Sequence, residues 1–471
     1  MIIFYFLILV MPLSQHRIWA QFVGDLTGIK YLGMACLPYA LFHLMRRGRP
    51  PSLFRTWQSR FFIVLYVIAT VSHISLGRVD WWQSLWLAYT SMLVLFFITL
   101  IVVDSLERLR WVLLAAIGSL GLASLYVLRD WQVFHNVYPD YRPGWVVGDP
   151  NYFSVSALLF LPIAYLLLQE KHRRRQRMFC MGCLILTLLA LMVSASRGGF
   201  LGLVGASLYL ILRSRKRFRN LFVVAAALVL LTLFTPLSPW GRFTNPTHGD
   251  KEAVDTRIAL WHAGLRMTQA HPLFGVGLDN FKLEAPQYID FDELPTVERP
   301  DRVAHNSYVE IMAEMGVPAL LAFLAMMASV FFCMERVWRR ARRSEIPLLA
   351  QVAFGSQAGI IGAAMAIFFV SGHYLKLFWL AIFLSMCLPP LCDQGESEQA
   401  KAREKETDGS ARDIGEPPED ENVPLHTGGT VRRTGIWTRA SARHARVGYG
   451  SLPPDDRAPY QPLDTRKKVA T

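Results

Sequence analysis

The chain has 471 residues, of which 53% are hydrophobic and 18% are charged, and its mean hydropathy is +0.29. Soluble chains normally carry about 25% charged residues, so this composition excludes an ordinary soluble protein. The formal net charge of +13 does not indicate a nucleic-acid partner, because the basic residues form short clusters between apolar segments.

Apolar segments recur from the first residues to about residue 392, and many approach the roughly 20 helical residues that cross a membrane. We therefore predict an all-α fold, a polytopic transmembrane helix bundle of about twelve spans. The predicted spans are residues 2–13, 26–45, 61–76, 83–103, 111–128, 152–169, 178–195, 199–212, 220–236, 315–334, 349–370 and 374–392.

The distribution of charge predicts how these spans are oriented. Residues 46–60 and residues 213–219 each carry five basic residues and no acidic residue. Residues 237–310 carry seven basic and eleven acidic residues. Because short cytoplasmic loops are rich in Lys and Arg, we expect the first two segments in the cytoplasm, the third on the opposite side, and both termini in the cytoplasm.

Two regions follow from this pattern. Residues 1–392 are predicted to form the transmembrane domain, with one large loop at about 237–306 on the non-cytoplasmic side. Aromatic residues, turn signals and a helical pattern predict that this loop is ordered. Residues 393–471 are rich in charged residues, glycine and proline, so we predict a disordered cytoplasmic tail.

Inside the large loop, Asp255 or Thr256 is a candidate N-cap for a helix that ends before Pro272. This interpretation places Arg257 at the N-terminus of the helix, where anions are favoured. An apolar face that contains a tryptophan is typical of a helix at the membrane–water interface. The predicted face comprises Ile258, Trp261, Leu265 and Thr268.

The loop ends with a capping box, Ser307-x-x-Glu310, which predicts the start of the next helix and gives Glu310 a structural role. His305 precedes this cap and can titrate near neutral pH. From its position alone, a hydrogen-bonded loop histidine is the favoured interpretation. The sequence Asp290-x-Asp292 is interpreted as solvated acidic loop, and no metal site or cofactor is predicted.

Arg197 lies between two apolar segments with almost no polar linker, and the two glycines after it allow a ligand or backbone to approach closely. An arginine near the membrane interior carries a high energetic cost and usually faces a ligand or the protein interior. We favour that interpretation over an arginine that snorkels to the interface.

Residues 196–202, S-R-G-G-F-L-G, resemble the S-R-G-G-x-x-G element of the O-antigen ligase and polymerase family of bacterial membrane proteins. Arg257 with Trp261, residues 271–277 (H-P-L-F-G-V-G), residues 305–308 (H-N-S-Y) and Gly316 follow in the order typical of that family. The resemblance extends over about residues 150–335.

The resemblance implies that a glycan moves from a polyprenyl-diphosphate carrier to an acceptor at the periplasmic face of the inner membrane. The acceptor is lipid A–core, a growing glycan or a protein. Membrane lipid is a further predicted partner. Arg197 and Arg257 are the predicted ligands of the diphosphate, and His305 is the predicted catalytic base for the acceptor hydroxyl. Direct attack inverts the anomeric centre, and the family needs no metal.

Four further residues are predicted to support this site: Asp149, Asn151, Asn306 and Glu310. Asp149 and Asn151 match a recurring D-P-N-like element of the family, but a turn that starts the next span explains them equally well. The family's ligase pattern ends in G-x-x-G, and Ala319 replaces its last glycine here. A polymerase of the same family therefore stays open as the alternative. A transporter is less favoured, because the unusual polar residues gather at the outer face.

Overall fold

The computed structural model describes the chain in segments, namely residues 1–11, 28–47, 55–75, 85–138, 141–144, 149–170, 172–214, 217–219, 221–222, 248–289 and 303–413. The described residues form helices and the turns between them, and no strand occurs among them. This finding confirms the predicted all-α fold for the described part of the chain.

The helices before the large loop are α1 (Ile2–Val10), α2 (Gly28–Arg47), α3 (Trp57–Ser75), α4 (Leu85–Val102), α5 (Leu106–Phe134), α6 (Pro150–Leu167), α7 (Arg174–Val193) and α8 (Arg197–Leu212). The loop contains α9 (His248–Ala270) and α10 (Phe281–Tyr288). The chain continues with α11 (Ser307–Arg343), α12 (Pro347–Ala366) with a 3₁₀ turn at Ile367–Phe369, and α13 (Lys376–Asp413). Met1–Gly409 forms one compact unit.

Eight helices of the described residues are long and apolar enough to cross a membrane, namely α3 to α7, α11, α12 and α13. The protein is therefore a multi-pass membrane protein. Of the other predicted spans, α2 is helical, α1 has nine residues and α8 has sixteen. The predicted span at 220–236 lies almost entirely outside the described residues, so the count of about twelve stays a prediction.

Small residues bring α12 close to α6 and α8. A Cβ on Gly359 would lie 2.6 Å from the carbonyl oxygen of Leu159 on α6. A Cβ on Gly202 of α8 would overlap the carbonyl of Gly362 on α12. Helices in membranes commonly pack through such small residues, because dispersion contacts and backbone proximity replace the hydrophobic driving force.

Helix α11 is broken at Gly316, whose backbone has a φ of 85° and a ψ of 173°. The break leaves the carbonyl groups of Ala313 and Glu314 without their usual partners, and Pro318 has no N–H to offer. The backbone N–H groups of Val276 and Gly277 replace those partners, at 2.8 Å from the oxygen of Ala313 and 3.0 Å from that of Glu314.

The segment that supplies these donors is residues 271–277, which we call the docking turn. The contact is reciprocal, since the backbone N–H of Val317 donates to the carbonyl oxygen of Pro272 at 2.9 Å. On α3, the Ser72 hydroxyl donates to the carbonyl oxygens of Phe274 and Glu314 at 2.8 and 2.7 Å. The docking turn therefore joins the large loop to α11 and α3 through backbone groups.

The structure corrects the predicted start of the loop helix. Helix α9 begins at His248, so Asp255 and Thr256 lie within it and neither is its N-cap. Arg257 is likewise an interior residue of α9 and not an N-terminal one. The apolar residues before Asp255 do not form a clear helical pattern, so the sequence did not indicate that the helix includes them.

The predicted apolar face of α9 is also different in the structure. Its buried residues include Leu260, Ala263 and Met267, which pack with the docking turn and α10. Ile258 and Leu265 of the predicted face are exposed. The helix therefore carries two apolar stripes, and the buried one packs against the protein.

Helix α13 continues past residue 393, where the predicted tail begins, to Asp413. The disordered cytoplasmic tail stays a prediction. Asp393 and Glu396 accept hydrogen bonds from the Arg340 guanidinium of α11 at 2.7 and 2.6 Å. These ion pairs hold the start of the predicted tail against the bundle. Residues 414–471 lie outside the described residues.

We expect Gly316→Ala to lower the stability of the protein strongly. The positive φ costs a side chain about 1–2 kcal/mol, and a Cβ at this position would also overlap the carbonyl group of Leu273. The thermal midpoint of the purified protein in detergent measures the effect. Gly182→Ala on α7 is the matched control, because no atom lies within 4 Å of its added Cβ. Equal midpoints for the two variants would show that the docking turn does not require the break.

Candidate functional site

Helices α6, α8 and α11 begin at the same end of the bundle. The Ser196 hydroxyl, just before α8, donates to Oδ1 of Asn151 in the first turn of α6 at 2.7 Å. The Ser307 hydroxyl at the start of α11 donates to the carbonyl oxygen of Val370 at 2.7 Å, between α12 and α13. We call this end of the bundle the site face.

Side chains cap the helices that begin at the site face. The Asp149 carboxylate accepts from the backbone N–H of Asn151 at 2.7 Å, and the Ser196 hydroxyl accepts from that of Gly199 at 3.1 Å. Asp149 and Asn151 therefore have the structural role that sequence left open. Because helix N-termini carry partial positive charge, several of them at one face favour an anion there.

The predicted capping box at the start of α11 is wrong. The cap is Asn306, whose Oδ1 accepts from the backbone N–H groups of Tyr308 and Val309 at 3.0 and 3.3 Å. The Ser307 hydroxyl instead bonds across to the 370–372 segment. Glu310 turns inward and accepts a hydrogen bond from the hydroxyl of Ser371. Local spacing cannot distinguish these arrangements, because the competing partners lie about 60 residues away in the chain.

Three partly buried arginines meet at the site face, namely Arg142, Arg197 and Arg257. Burial lowers the pKa of the Arg142 guanidinium to about 10; the Asp149 carboxylate opposes this shift, and the charges of Arg257 and Arg197 add to it. Burial and the charge of Arg197 also lower the pKa of Arg257, again opposed by Asp149. The charges of the three arginines and of one carboxylate thus influence one another at the site face.

Sequence reasoning missed Arg142. It lies in the short connection between α5 and α6, and its Nε donates to the carbonyl oxygen of Ser194 at the end of α7, 3.3 Å away. The available indication was its position in the aromatic-rich segment that ends at Asp149. Only the fold shows that the charge of Arg142 acts together with those of Arg197 and Arg257.

The glycine pair after Arg197 serves helix packing. A Cβ on Gly199 would lie 2.5 Å from Cβ of Ser154 on α6, and one on Gly198 would lie 3.0 Å from Cβ of Phe369. The close approach expected from the sequence is therefore made by protein side chains. It holds Arg197 at the junction of α6, α8 and the end of α12.

His305 is held on both sides by its neighbours in the chain. The Trp261 indole donates to the carbonyl oxygen of Ala304 at 2.9 Å, and Trp261 is one helical turn along α9 from Arg257. Asn306 on the other side is the cap of α11. His305 itself has a left-handed backbone with a φ of 49°, an uncommon conformation in which histidine is enriched and which often marks functional sites.

Behind the site face lies a buried group of two carboxylates and one imidazole. Glu310 and Glu314 are one turn apart on α11, and His373 lies between α12 and α13. One ligand atom from each residue lies within 4.8 Å of the others. Burial lowers the pKa of His373 to about 3, so its imidazole is neutral. Among the described residues, this group has the donor set for a metal ion.

The structure therefore brings some of the predicted residues together. Arg197, Arg257 and Asp149 are neighbours, whereas Glu310 belongs to the buried group behind them. The predicted acidic loop with Asp290 lies outside the described residues. The arrangement defines a class, a multi-pass membrane protein with a cationic site at the start of several helices.

Residues 182–324 match the family profile described as O-antigen ligase. The match confirms the predicted resemblance, and it supports a glycosyltransferase of the O-antigen ligase or polymerase type. It covers less than a third of the chain, and it includes Arg197, Arg257 and His305. Arg142 and His373 lie outside it. No curated protein matches the chain.

We expect Asn306→Ala to lower the free energy of unfolding by about 1 kcal/mol, because the first turn of α11 loses its cap. The thermal midpoint in detergent measures this change. Asn306→Asp retains an accepting oxygen and should keep a midpoint close to that of the wild-type protein. A wild-type midpoint in Asn306→Ala would mean that another group caps α11.

Proposed function

We propose that the protein transfers a glycan from a polyprenyl-diphosphate carrier to an acceptor hydroxyl at the periplasmic face of the bacterial inner membrane. The reaction is of the O-antigen ligase type and inverts the anomeric centre, without a metal ion in the transfer step. In this proposal the site face is periplasmic, and both termini are cytoplasmic. The acceptor is lipid A–core, another glycan or a protein.

The arginine cluster is the observation that carries this proposal. Arg142, Arg197 and Arg257 repel one another, and burial makes their proximity more costly. A protein retains such a cluster where a multiply charged anion offsets the repulsion. Helix N-termini at the same face favour that anion further. The lipid-linked diphosphate is an anion of this kind, and it reaches the protein from the membrane.

The cluster suits the departure of the carrier. As the bond between the anomeric carbon and the diphosphate oxygen breaks, negative charge builds up on the diphosphate. A guanidinium binds phosphate oxygens through two parallel N–H donors, so the arginines stabilise the charge of the leaving group. The negative charge of Asp149 partly offsets the positive charges of Arg142 and Arg257.

His305 is the proposed base. It takes the proton of the acceptor hydroxyl while the hydroxyl oxygen forms a bond to the anomeric carbon, opposite the departing diphosphate. Its position depends on the bond between Trp261 and Ala304 and on the cap at Asn306. Glu310 supports the same segment, because its carboxylate also accepts from the backbone N–H of Ala304.

The alternative is an O-antigen or exopolysaccharide polymerase, which uses the same type of donor and another glycan as acceptor. Ala319 favours this alternative, because it replaces the last glycine of the ligase pattern. Ala319 is fully buried in α11 and belongs to the main hydrophobic core. The substitution therefore bears on helix packing, and we retain the ligase as the first proposal.

We expect His305→Ala to lower the transfer rate by about 10²–10⁴-fold, the usual contribution of a general base. The assay is transfer of lipid-linked glycan in membranes that contain equal amounts of each variant. His262→Ala is the matched control, because His262 is an exposed histidine on α9. Full activity in His305→Ala would exclude the general-base role.

The arginines are tested in the same assay by substitutions that remove the charge and by one that conserves it. Removing one donor to a developing anion commonly costs about 10²–10³-fold in rate, so Arg142→Ala, Arg197→Ala and Arg257→Ala should each show a loss of this order. Arg197→Lys keeps the charge without the planar fork and should recover part of the activity. Arg129→Ala, at an exposed arginine near the end of α5, is the control. A wild-type rate in Arg142→Ala would exclude Arg142 from the proposed site.

Deletion of the gene in its host distinguishes the acceptors. If the protein is a ligase, lipid-linked polymer accumulates and lipopolysaccharide on a gel lacks polymer. If it is a polymerase, single repeat units reach lipid A–core. An unchanged lipopolysaccharide pattern would exclude a role in O-antigen ligation or polymerisation and would leave a protein or an exopolysaccharide as the acceptor.

A further inference from the structure

We propose that Glu310, Glu314 and His373 form a buried binding site for a divalent transition-metal ion, with Zn²⁺ as the best match. This ion has a structural role: it joins the first turns of α11 to the segment between α12 and α13. The proposal concerns a group of residues behind the arginine cluster and does not depend on the transfer reaction.

The three side chains come from two separate parts of the chain. Glu310 and Glu314 are spaced i, i+4 on α11, so they lie on one face of the helix. His373 follows the 3₁₀ turn after α12 and faces them from the opposite side. Their exposed fractions are 1%, 2% and 0%, so water does not screen the two carboxylates from each other. A cation between them would take the place of the protons that such a buried pair otherwise holds.

Several polar atoms of this group have no protein partner. Both imidazole nitrogens of His373 are buried without a hydrogen bond, and so is Oε2 of Glu314. Buried polar atoms without partners are rare and each costs about as much as a lost hydrogen bond, so such a concentration points to a ligand. The other carboxylate oxygen of Glu314 accepts from the backbone N–H of Phe281 at 3.1 Å, which aims the free oxygen toward the group.

A fourth side chain adds to this pattern. The hydroxyl of Tyr89, on α4, is fully buried and has no hydrogen-bond partner. The Tyr89 ring centroid lies 6.4 Å from that of His373. The hydroxyl, or a water molecule beside it, is the candidate for the fourth ligand.

The donor set selects the type of ion. One imidazole and two carboxylates match Zn²⁺ and related transition metals, whereas Mg²⁺ and Ca²⁺ prefer oxygen ligands alone. Ligand atoms around a tetrahedral Zn²⁺ lie about 3.4 Å apart, since each bond is about 2.0–2.1 Å. The present separations of up to 4.8 Å close to this value with shifts of less than about 1 Å at each side chain.

The consequence of binding is local order at the site face. The Glu310 carboxylate also accepts hydrogen bonds from the hydroxyl of Ser371 and from the backbone N–H of Ala304, the residue before His305. The Glu314 carboxylate also accepts a hydrogen bond from the backbone N–H of Phe281, the first residue of α10. An ion shared by these carboxylates and His373 therefore fixes the start of α11, the 371–373 segment and the large loop as one structure.

The test uses the full-length protein, purified in detergent, treated with a chelator and desalted. It is then incubated with Zn²⁺ alone, desalted again and analysed for bound metal by mass spectrometry. We expect one Zn²⁺ per chain and a rise of several degrees in the thermal midpoint. Mg²⁺ at the same concentration should give neither result.

Glu314→Gln and His373→Ala should each weaken Zn²⁺ binding at least tenfold and abolish the rise in midpoint. His262→Ala and Glu398→Gln, at exposed positions, are the matched controls for surface binding. If a site variant does not fold, the wild-type measurements with and without Zn²⁺ still show whether the protein binds the ion. A wild-type protein that retains no Zn²⁺ and shows no shift overturns the proposal, as does equal binding in the site variants.

These readouts are separate from glycan transfer. If the transfer assay fails, metal content and the thermal midpoint still test the metal site. If no metal binds, the predictions for the arginines and His305 still stand. A protein that binds Zn²⁺ without transferring glycan would therefore contradict the proposed function alone.

Discussion

The rest of the site depends on the backbone hydrogen bonds between the docking turn and the break in α11. A break inside a membrane helix leaves carbonyl groups exposed to an apolar surrounding, where each unsatisfied group costs several kcal/mol. Here the N–H groups of Val276 and Gly277 satisfy these carbonyls. The same contact fixes the large loop against the bundle. It therefore sets the position of α9, which carries Arg257, and of the first turns of α11, which follow His305.

The site face combines two sources of positive charge that have different sequence requirements. Helix N-termini supply partial charges through backbone N–H groups, and their positions follow from the caps Asp149, Ser196 and Asn306. The arginines supply full charges from three separate parts of the chain: the connection between α5 and α6, the start of α8 and the interior of α9. Since burial already lowers the pKa of Arg142 and Arg257, each further cation is costly without an anion. This balance is the physical basis of the proposal that the ligand is a diphosphate.

Much of the candidate site follows from sequence because its signals are local. The cost of placing Arg197 between apolar segments is visible in the chain, and the order of Arg257, His305 and Gly316 carries the family resemblance. The start of α9 and the cap of α11 were predicted wrongly, since both depend on competition between local and distant partners. Ser307, for example, bonds to backbone near residue 370 and leaves the capping role to Asn306.

The sequence by itself determined that this is a helical membrane protein, because the length and spacing of its apolar segments allow no other way to satisfy the backbone in lipid. It also showed that Arg197 lies between apolar segments, where a charged side chain has a high energetic cost that indicates a function. Only the tertiary structure decided that Arg142 joins Arg197 at the site face and that His373 faces Glu310 and Glu314. These groups are assembled from residues 55 to 63 positions apart in the chain, and no periodicity in the chain encodes contacts at such separations.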